Sequence, residues 1–202
     1  NDFLSLDKLE GGLIRANMQI ITSGECAAII EDVISEMQLN LKHGQQIIFS
    51  QLEDNAVLVD RNLLKNICSN LLSNATKFSP ENCVIDISAV FAKEAFILSV
   101  KDQGIGISAE DRQHLFERFF RAANAINIQG TGLGLHIVAK YLDLMNGSID
   151  ITSEIDKGTC FTIHIPKISA GNIRFCAICT ILIPSIFPVH NKQLGKSLNF
   201  LM

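Results

Sequence analysis

Between residues 84 and 166 the chain carries four strand-length runs, set as two pairs on either side of a stretch with helical patterns, and this restricts the fold more than any other feature. Residues 84–90 and 96–100 are rich in Val, Ile, Leu and Phe and are separated by the polar Lys93-Glu94, so they predict an antiparallel pair. Residues 148–153 and 160–165 flank the turn sequence Asp156-Lys157-Gly158 and predict a second pair. Pro166 closes this regular part.

The helices that must cover such a sheet are legible in the spacing of apolar residues. Asp60 is a good N-cap for a helix running to about Phe78, in which Leu64, Ile67, Cys68, Leu71, Leu72 and Ala75 repeat as an amphipathic stripe before Pro80 forbids continuation. Upstream, residues 17–22 read as a strand and Ser23 as the cap of a helix carrying Ala27, Ile30, Val33, Ile34 and Met37. Two short β-like runs, 46–50 and 56–59, follow. Residues 132–145 offer Leu135, Val138, Ala139, Leu142 and Met145 as one helix face, and a short helix with an aromatic cluster is expected after Ser108. The order of elements implies an α/β (α+β) two-layer sandwich, a mixed, mostly antiparallel sheet with helices on one face.

At 202 residues the chain can hold one domain of about 150 residues with extra segments. A net charge of −4 without a Lys/Arg cluster excludes nucleic acid as an expected partner. Cys26, Cys68, Cys83 and Cys160 sit in apolar stretches and suggest a reducing compartment. Cys176 and Cys179 form a lone CxxC without the second pair that a zinc site needs. The opening NDFLSLDKLEGG has no signal-peptide pattern and reads as the last turns of a helix ended by Gly11-Gly12. Residues 167–202 are apolar around Pro184 and Pro188 with no helical or alternating period, and are too interrupted to predict a membrane span.

Three groups of residues could carry chemistry. On the helix after Asp60, Asn66, Asn70, Asn74 and Lys77 share one side, where amide oxygens suit a hard cation and an ammonium suits phosphate; a solvated helix face is the competing reading. Asp102-Gln-Gly104-Ile-Gly106 puts a carboxylate directly after a strand, able to accept from an exocyclic amine, or forms a plain surface turn. Gly130-Thr131-Gly132-Leu133-Gly134 opens a helix whose N–H groups could receive phosphate oxygens, or simply packs closely. Between the last two lies Leu115-Phe-Glu-Arg-Phe-Phe-Arg, in which Arg118 or Arg121 could reach phosphate from a flap formed by the unpatterned residues up to Gly130.

Taken in order, NLLSNATKFSP (70–80), DQGIGI (102–107), LFERFF (115–120), GTGLGL (130–135) and GTCFTIHIP (158–166) resemble the N, G1, F and G2 boxes and closing strand of the ATP-binding domain of sensor histidine kinases. The resemblance implies a Bergerat-type ATP-binding fold over residues 17–166, preceded in 1–16 by the end of a dimerising phosphoacceptor hairpin and followed by the 167–202 tail of unknown role. It implies Mg²⁺ on Asn74, Asn70 and Lys77 near the phosphates with Arg118 assisting, and Asp102 on the adenine amino group. Gly104, Gly106, Gly130, Thr131, Gly132, Leu133, Gly134 and Thr159 would complete the ATP site. None of His43, His114, His136, His164 and His190 is followed by the acidic residue typical of a family acceptor, so transfer to a histidine outside this chain is implied. The implied partners are that hairpin, in a homodimeric parent, and a response-regulator receiver domain. The implied location is a cytoplasmic domain of a parent protein that is either soluble or membrane-anchored.

Hydrolysing relatives carry a Glu general base four residues before the metal-binding Asn, where this chain has Asn70, which favours transfer over hydrolysis. An ATP-binding regulatory module without transferase activity is the alternative.

Overall fold

A computed structural model describes residues 6–7, 9, 11–50 and 55–167. In chain order these form strand β1 (Gln19–Thr22), helix α1 (Ser23–Met37), strands β2 (Gln46–Ser50) and β3 (Ala56–Val59), helix α2 (Arg61–Phe78), strands β4 (Val84–Phe91) and β5 (Ala95–Lys101), helix α3 (Gly134–Leu144), and strands β6 (Ser148–Glu154) and β7 (Gly158–Pro166). Single 3-10 turns lie at Gln38–Asn40, Asp111–Gln113 and Ala123–Ala125.

Both expected pairs form, and they join through β5 and β7 into a five-stranded sheet of order β2-β4-β5-β7-β6. Every neighbour is antiparallel except β2, which runs parallel to β4. β1 and β3 make a separate antiparallel ribbon. Because side chains alternate between faces, register decides which residues meet the helices. Phe49, Ile87, Val100, Phe161 and Ile151 are successive partners across all five strands, and Ala89, Leu98, Ile163 and Ile149 form the next row. Both rows belong to the core, into which α2 sends Leu64, Ile67, Leu71 and Leu72, each fully buried. Truncating one of these leucines to Ala would cost about 2–5 kcal/mol through lost transfer and a residual cavity. The opposite face is mostly polar, with Ile48 and Val90 exposed on it; there Ser99 Oγ donates to Thr162 Oγ1 (3.1 Å) and His164 lies 3.1 Å from Asp150.

Capping fixes both ends of α2, the helix that carries the amide row. Asp60 Oδ1 accepts from the N–H groups of Asn62 (2.8 Å) and Leu63 (3.0 Å), as its cap role predicts, while Oδ2 accepts from Asn17 N–H (2.6 Å) and so ties the entering chain to the first helical turn. At the other end Lys42 Nζ donates to the carbonyls of Lys77 (2.8 Å) and Ser79 (2.5 Å). The buried Gln45 amide donates to Thr76 O, Ser79 O and Pro80 O, satisfying carbonyls that a helix end leaves without partners.

Three expectations need correction. The cap of α1 is Thr22, whose hydroxyl accepts from Glu25 N–H while the Glu25 carboxylate accepts from Thr22 N–H; Ser23 is the first helical residue. The first strand is shorter than 17–22, because pairing with β3 begins only at Gln19. After Ser108 there is a 3-10 turn rather than an α-helix: Arg112, Gln113 and His114 close isolated turn bonds, and no i→i−4 ladder propagates. Leu6, Asp7 and Leu9 are helical and Leu6 is buried, in keeping with the expected end of a helix, whereas Phe3 and Leu4 lie outside the described residues. So do Cys176, Cys179 and the tail from 168 onward.

Candidate functional site

A cavity of about 520 Å³ opens between α2, the loop after β5, the segment leading into α3, and the start of β7. Asn66, Asn70, Asn74 and Lys77 line it from α2, at the four- and three-residue spacings that place them on one helix face. Asp102 and Gly106 line it from the loop after β5 and Thr159 from the start of β7, and Gly130, Thr131, Gly132 and Gly134 line the approach to α3. The amide row is therefore part of the wall of a cavity, along which Asn70, Asn74 and Lys77 are half-buried while Asn66 is exposed.

Asp102 is 5% exposed, and among the described residues both hydrogen bonds to its carboxylate go to one oxygen: Oδ1 accepts from Gly104 N–H (2.8 Å) and Thr159 N–H (3.1 Å). Oδ2 is left as the acceptor for a ligand. Burial raises the Asp102 pKa above the ordinary carboxylate value, and the two backbone donors offset part of that rise. Lys77 is half-buried, and desolvation, with the like charge of Arg121, lowers its pKa. No carboxylate pairs with Lys77 among the described residues; its ammonium rests 4.7 Å over the Phe78 ring. A cavity with two neighbouring cations at one end and a buried carboxylate with a free oxygen elsewhere suits a ligand that is anionic at one end and carries an amine donor at the other.

Asn70 Nδ2 donates to Asn66 O (3.0 Å), which turns Oδ1 away from the helix backbone, and a Cβ at position 134 would stand 2.9 Å from that oxygen. Gly134 thus lets the amide of α2 and the start of α3 approach closely. Asn74 is half-buried and its side chain makes no hydrogen bond within the described protein, so its carbonyl oxygen is available to a hard cation. Among the described residues no group of three or more His, Cys, Asp or Glu could hold a metal, so a cation here would need the ligand's own oxygens besides Asn74. Gly132 adopts φ +71° with the backbone of Phe119 and Phe120 within 2.7–2.8 Å of where a Cβ would stand, a position that no L side chain fits.

Three of the expected residues sit elsewhere. Leu133 is fully buried in the core, so only its backbone, whose N–H donates to Thr131 Oγ1 (3.3 Å), belongs to the glycine loop. Gly104 lies beneath its loop: a Cβ there would stand 2.8 Å from Phe78 O, so this residue packs the loop onto the end of α2. Arg118 is exposed and outside the cavity lining; Arg121 lines it, donating to Ala125 O (2.6 Å) and to Ile128 O. The stretch read as a flap is tied back to the loop after β5 by Asn124 Nδ2, which donates to Gly106 O (2.9 Å).

Sequence reasoning missed Tyr141, Ile137 and Phe161, which line the cavity, and Ser153, whose hydroxyl accepts from Ile107 N–H (2.9 Å) and bonds Gly158 O (3.0 Å) and Thr159 Oγ1 (2.8 Å). The first two had a signal, since Gly134, Ile137 and Tyr141 recur at spacings of three and four. Of the histidines, His114 pairs with Glu117, His164 with Asp150, and His136 Nδ1 bonds Phe116 O (2.8 Å). Among the described residues no helix is long and apolar enough to cross a membrane.

Against known families, residues 59–169 match the model described as "Histidine kinase-, DNA gyrase B-, and HSP90-like ATPase". The heme sensor protein HssS of Staphylococcus saprophyticus is 33% identical over 140 residues, which is 69% of this chain and 30% of that protein. The sensor protein SrrB of Staphylococcus aureus is 30% identical over 170 residues, 83% of this chain and 29% of its own length. The sensor histidine kinase RcsC of Escherichia coli is 38% identical over 109 residues, 53% of this chain and 11% of that protein. The chain thus spans under a third of the length of these curated relatives. Among solved structures, the catalytic domain of histidine kinase ThkA superposes with a TM-score of 0.63 at 28% identity, covering 75% of this chain and 96% of that one. The histidine kinase AdeS of Acinetobacter baumannii superposes with a TM-score of 0.67 at 25% identity, covering 83% of this chain and 76% of that one.

Proposed function

The chain belongs to the histidine kinase-, DNA gyrase B- and HSP90-like ATPase family as an ATP-binding catalytic domain of the sensor-kinase type, and we propose that it binds Mg-ATP and hands the γ-phosphate to a histidine outside these residues. The observation that carries the reading is the make-up of the cavity: amides and an ammonium on α2 face a glycine-lined helix start, and a buried carboxylate with one oxygen unengaged by the described residues lines the same cavity.

In this reading Asp102 Oδ2 accepts from the adenine amino group, while Lys77 and the N–H groups of the 130–134 loop receive phosphate oxygens. Asn74 holds Mg²⁺ and Asn70 orients the phosphate end. Bound Mg²⁺ supplies neutralisation of the phosphate charge as the terminal phosphoryl group leaves. Arg121 replaces Arg118 as the arginine nearest the phosphates, since it lines the cavity beside Lys77. Positioning and charge neutralisation suffice for phosphoryl transfer, so the domain needs no nucleophile of its own. Asn70 cannot take a proton from water, which favours transfer over hydrolysis. Partners in the parent protein are then a hairpin bearing the acceptor histidine and, downstream, a receiver domain.

The test is incubation of the chain with Mg²⁺ and γ-labelled ATP, with and without a dimeric hairpin bearing an acceptor histidine, following acid-labile, base-stable label on the hairpin. Label that disappears with Asn74→Ala supports transfer in trans. ATP binding with no label on any hairpin offered would favour a regulatory module that binds nucleotide without transferring it.

A further inference from the structure

We infer that Tyr141 is a second base-reading residue of the cavity, its hydroxyl donating a hydrogen bond, directly or through one water, to a ring nitrogen of the bound purine. The inference rests on the ATP-binding reading above and adds to it the contact that orients the base beside Asp102.

Tyr141 is 4% exposed and shares with Gly134 and Ile137 the face of α3 that lines the cavity. Its ring is enclosed, and a Phe would fill the same space. Yet its hydroxyl makes no hydrogen bond with any described residue, and it is not among the polar atoms sealed from solvent. What remains accessible of this side chain therefore opens on the cavity. Buried tyrosines normally give their hydroxyl a partner, because an enclosed O–H without one is disfavoured. Here the described residues supply none, which leaves the hydroxyl to water, and open to a ligand atom when the cavity is filled.

The chemistry of that partner follows from the rest of the lining. Leu115, Ile137 and Phe161 offer only apolar contact, suited to the faces of an aromatic base. Asp102, an acceptor, takes the exocyclic amine. The remaining polar atoms on the edge of a 6-aminopurine are the ring nitrogens N1, N3 and N7, all acceptors, and a tyrosine hydroxyl at neutral pH is a donor. The two side chains are thus complementary to the two kinds of polar atom that adenine presents.

The test measures binding of ATP and of its 1-deaza, 3-deaza and 7-deaza analogues to the whole chain with Mg²⁺ by calorimetry, for the wild type and Tyr141→Phe. At least one analogue is expected to bind the wild type about 5- to 10-fold more weakly than ATP, as for loss of one neutral hydrogen bond. In Tyr141→Phe, ATP itself should weaken by about the same factor and the penalty for that analogue should fall below about twofold. Equal binding of all four nucleotides to the wild type would overturn the inference without reliance on any variant. So would a deaza penalty that persists unchanged in a Tyr141→Phe protein unfolding at the wild-type temperature. Absence of ATP binding by the wild type would instead overturn the underlying ATP reading, and the two failures are distinct.

Discussion

The ammonium of Lys77 occupies the space that a side chain at position 130 would need: a Cβ built on Gly130 would stand 2.5 Å from Nζ. The glycine loop and the α2 cation are therefore fitted to each other across the cavity mouth.

Replacing Gly130 by Ala should displace Lys77 without unfolding the protein, because the atom in the way is the end of a flexible side chain. ATP affinity is expected to fall roughly fivefold, about 1 kcal/mol, with the unfolding temperature nearly unchanged. Calorimetric titration beside thermal unfolding checks both halves of the prediction.

Asp102→Asn should separate binding from stability. The amide oxygen can keep the two backbone bonds now made to Oδ1, which leaves an NH₂ where the ligand needs an acceptor, so ATP binding is expected to fall by at least tenfold. The stability effect has the opposite sign. Burial raises the folded-state pKa of this acid above the unfolded one, so the folded form holds its proton more tightly and stability falls as pH rises through the window between the two values. At neutral pH the charge is a burden that Asn removes, and the ligand-free variant should unfold at a higher temperature. In the wild type, ATP affinity should drop on acidification at a higher pH than an exposed aspartate would give, and the variant should lose that dependence.

Asn74→Ala should leave nucleotide binding without Mg²⁺ close to that of the wild type and abolish the gain in affinity on adding Mg²⁺. Titrations with and without a chelator read this directly. An equal Mg²⁺-dependent gain in both proteins would remove Asn74 from the metal-binding role.

Gln45→Ala should destabilise the fold by about 1–3 kcal/mol, since it strips a buried donor from the carbonyls of Thr76 and Pro80, at and just beyond the end of α2, and leaves Ser79 O to Lys42 alone. Urea unfolding gives the magnitude. Because Lys77 and Phe78 lie on that last turn, weaker ATP binding should accompany the loss, and less so at temperatures where the helix end remains formed.

Much of the fold was legible because its signals are local. Asp60 and Pro80 bound α2, and alternation in β4, β5 and β7 sets the buried face of the sheet. The parallel pairing of β2 with β4 was not legible, since nothing within Gln46–Ser50 specifies a neighbour some forty residues away. The clamp of Lys42 and Gln45 on α2 was hidden for the same reason. In α3 the reading of a single apolar face missed that the helix is enclosed on two sides, by the core at Val138 and Leu142 and by the cavity at Ile137 and Tyr141. In the Leu115–Arg121 segment the basic residues were visible, but which one turns inward depends on turns that sequence periodicity does not encode.

Phe161 belongs at once to the row that crosses all five strands and to the lining of the cavity. The shape of the binding pocket and the solidity of the protein are therefore not separately adjustable at this position. A variant that enlarged the pocket by trimming Phe161, for instance to escape a competitive inhibitor, would remove the β7 member of that hydrophobic row at the same stroke. Resistance by that route should be rare, and should come with poor folding wherever it arises.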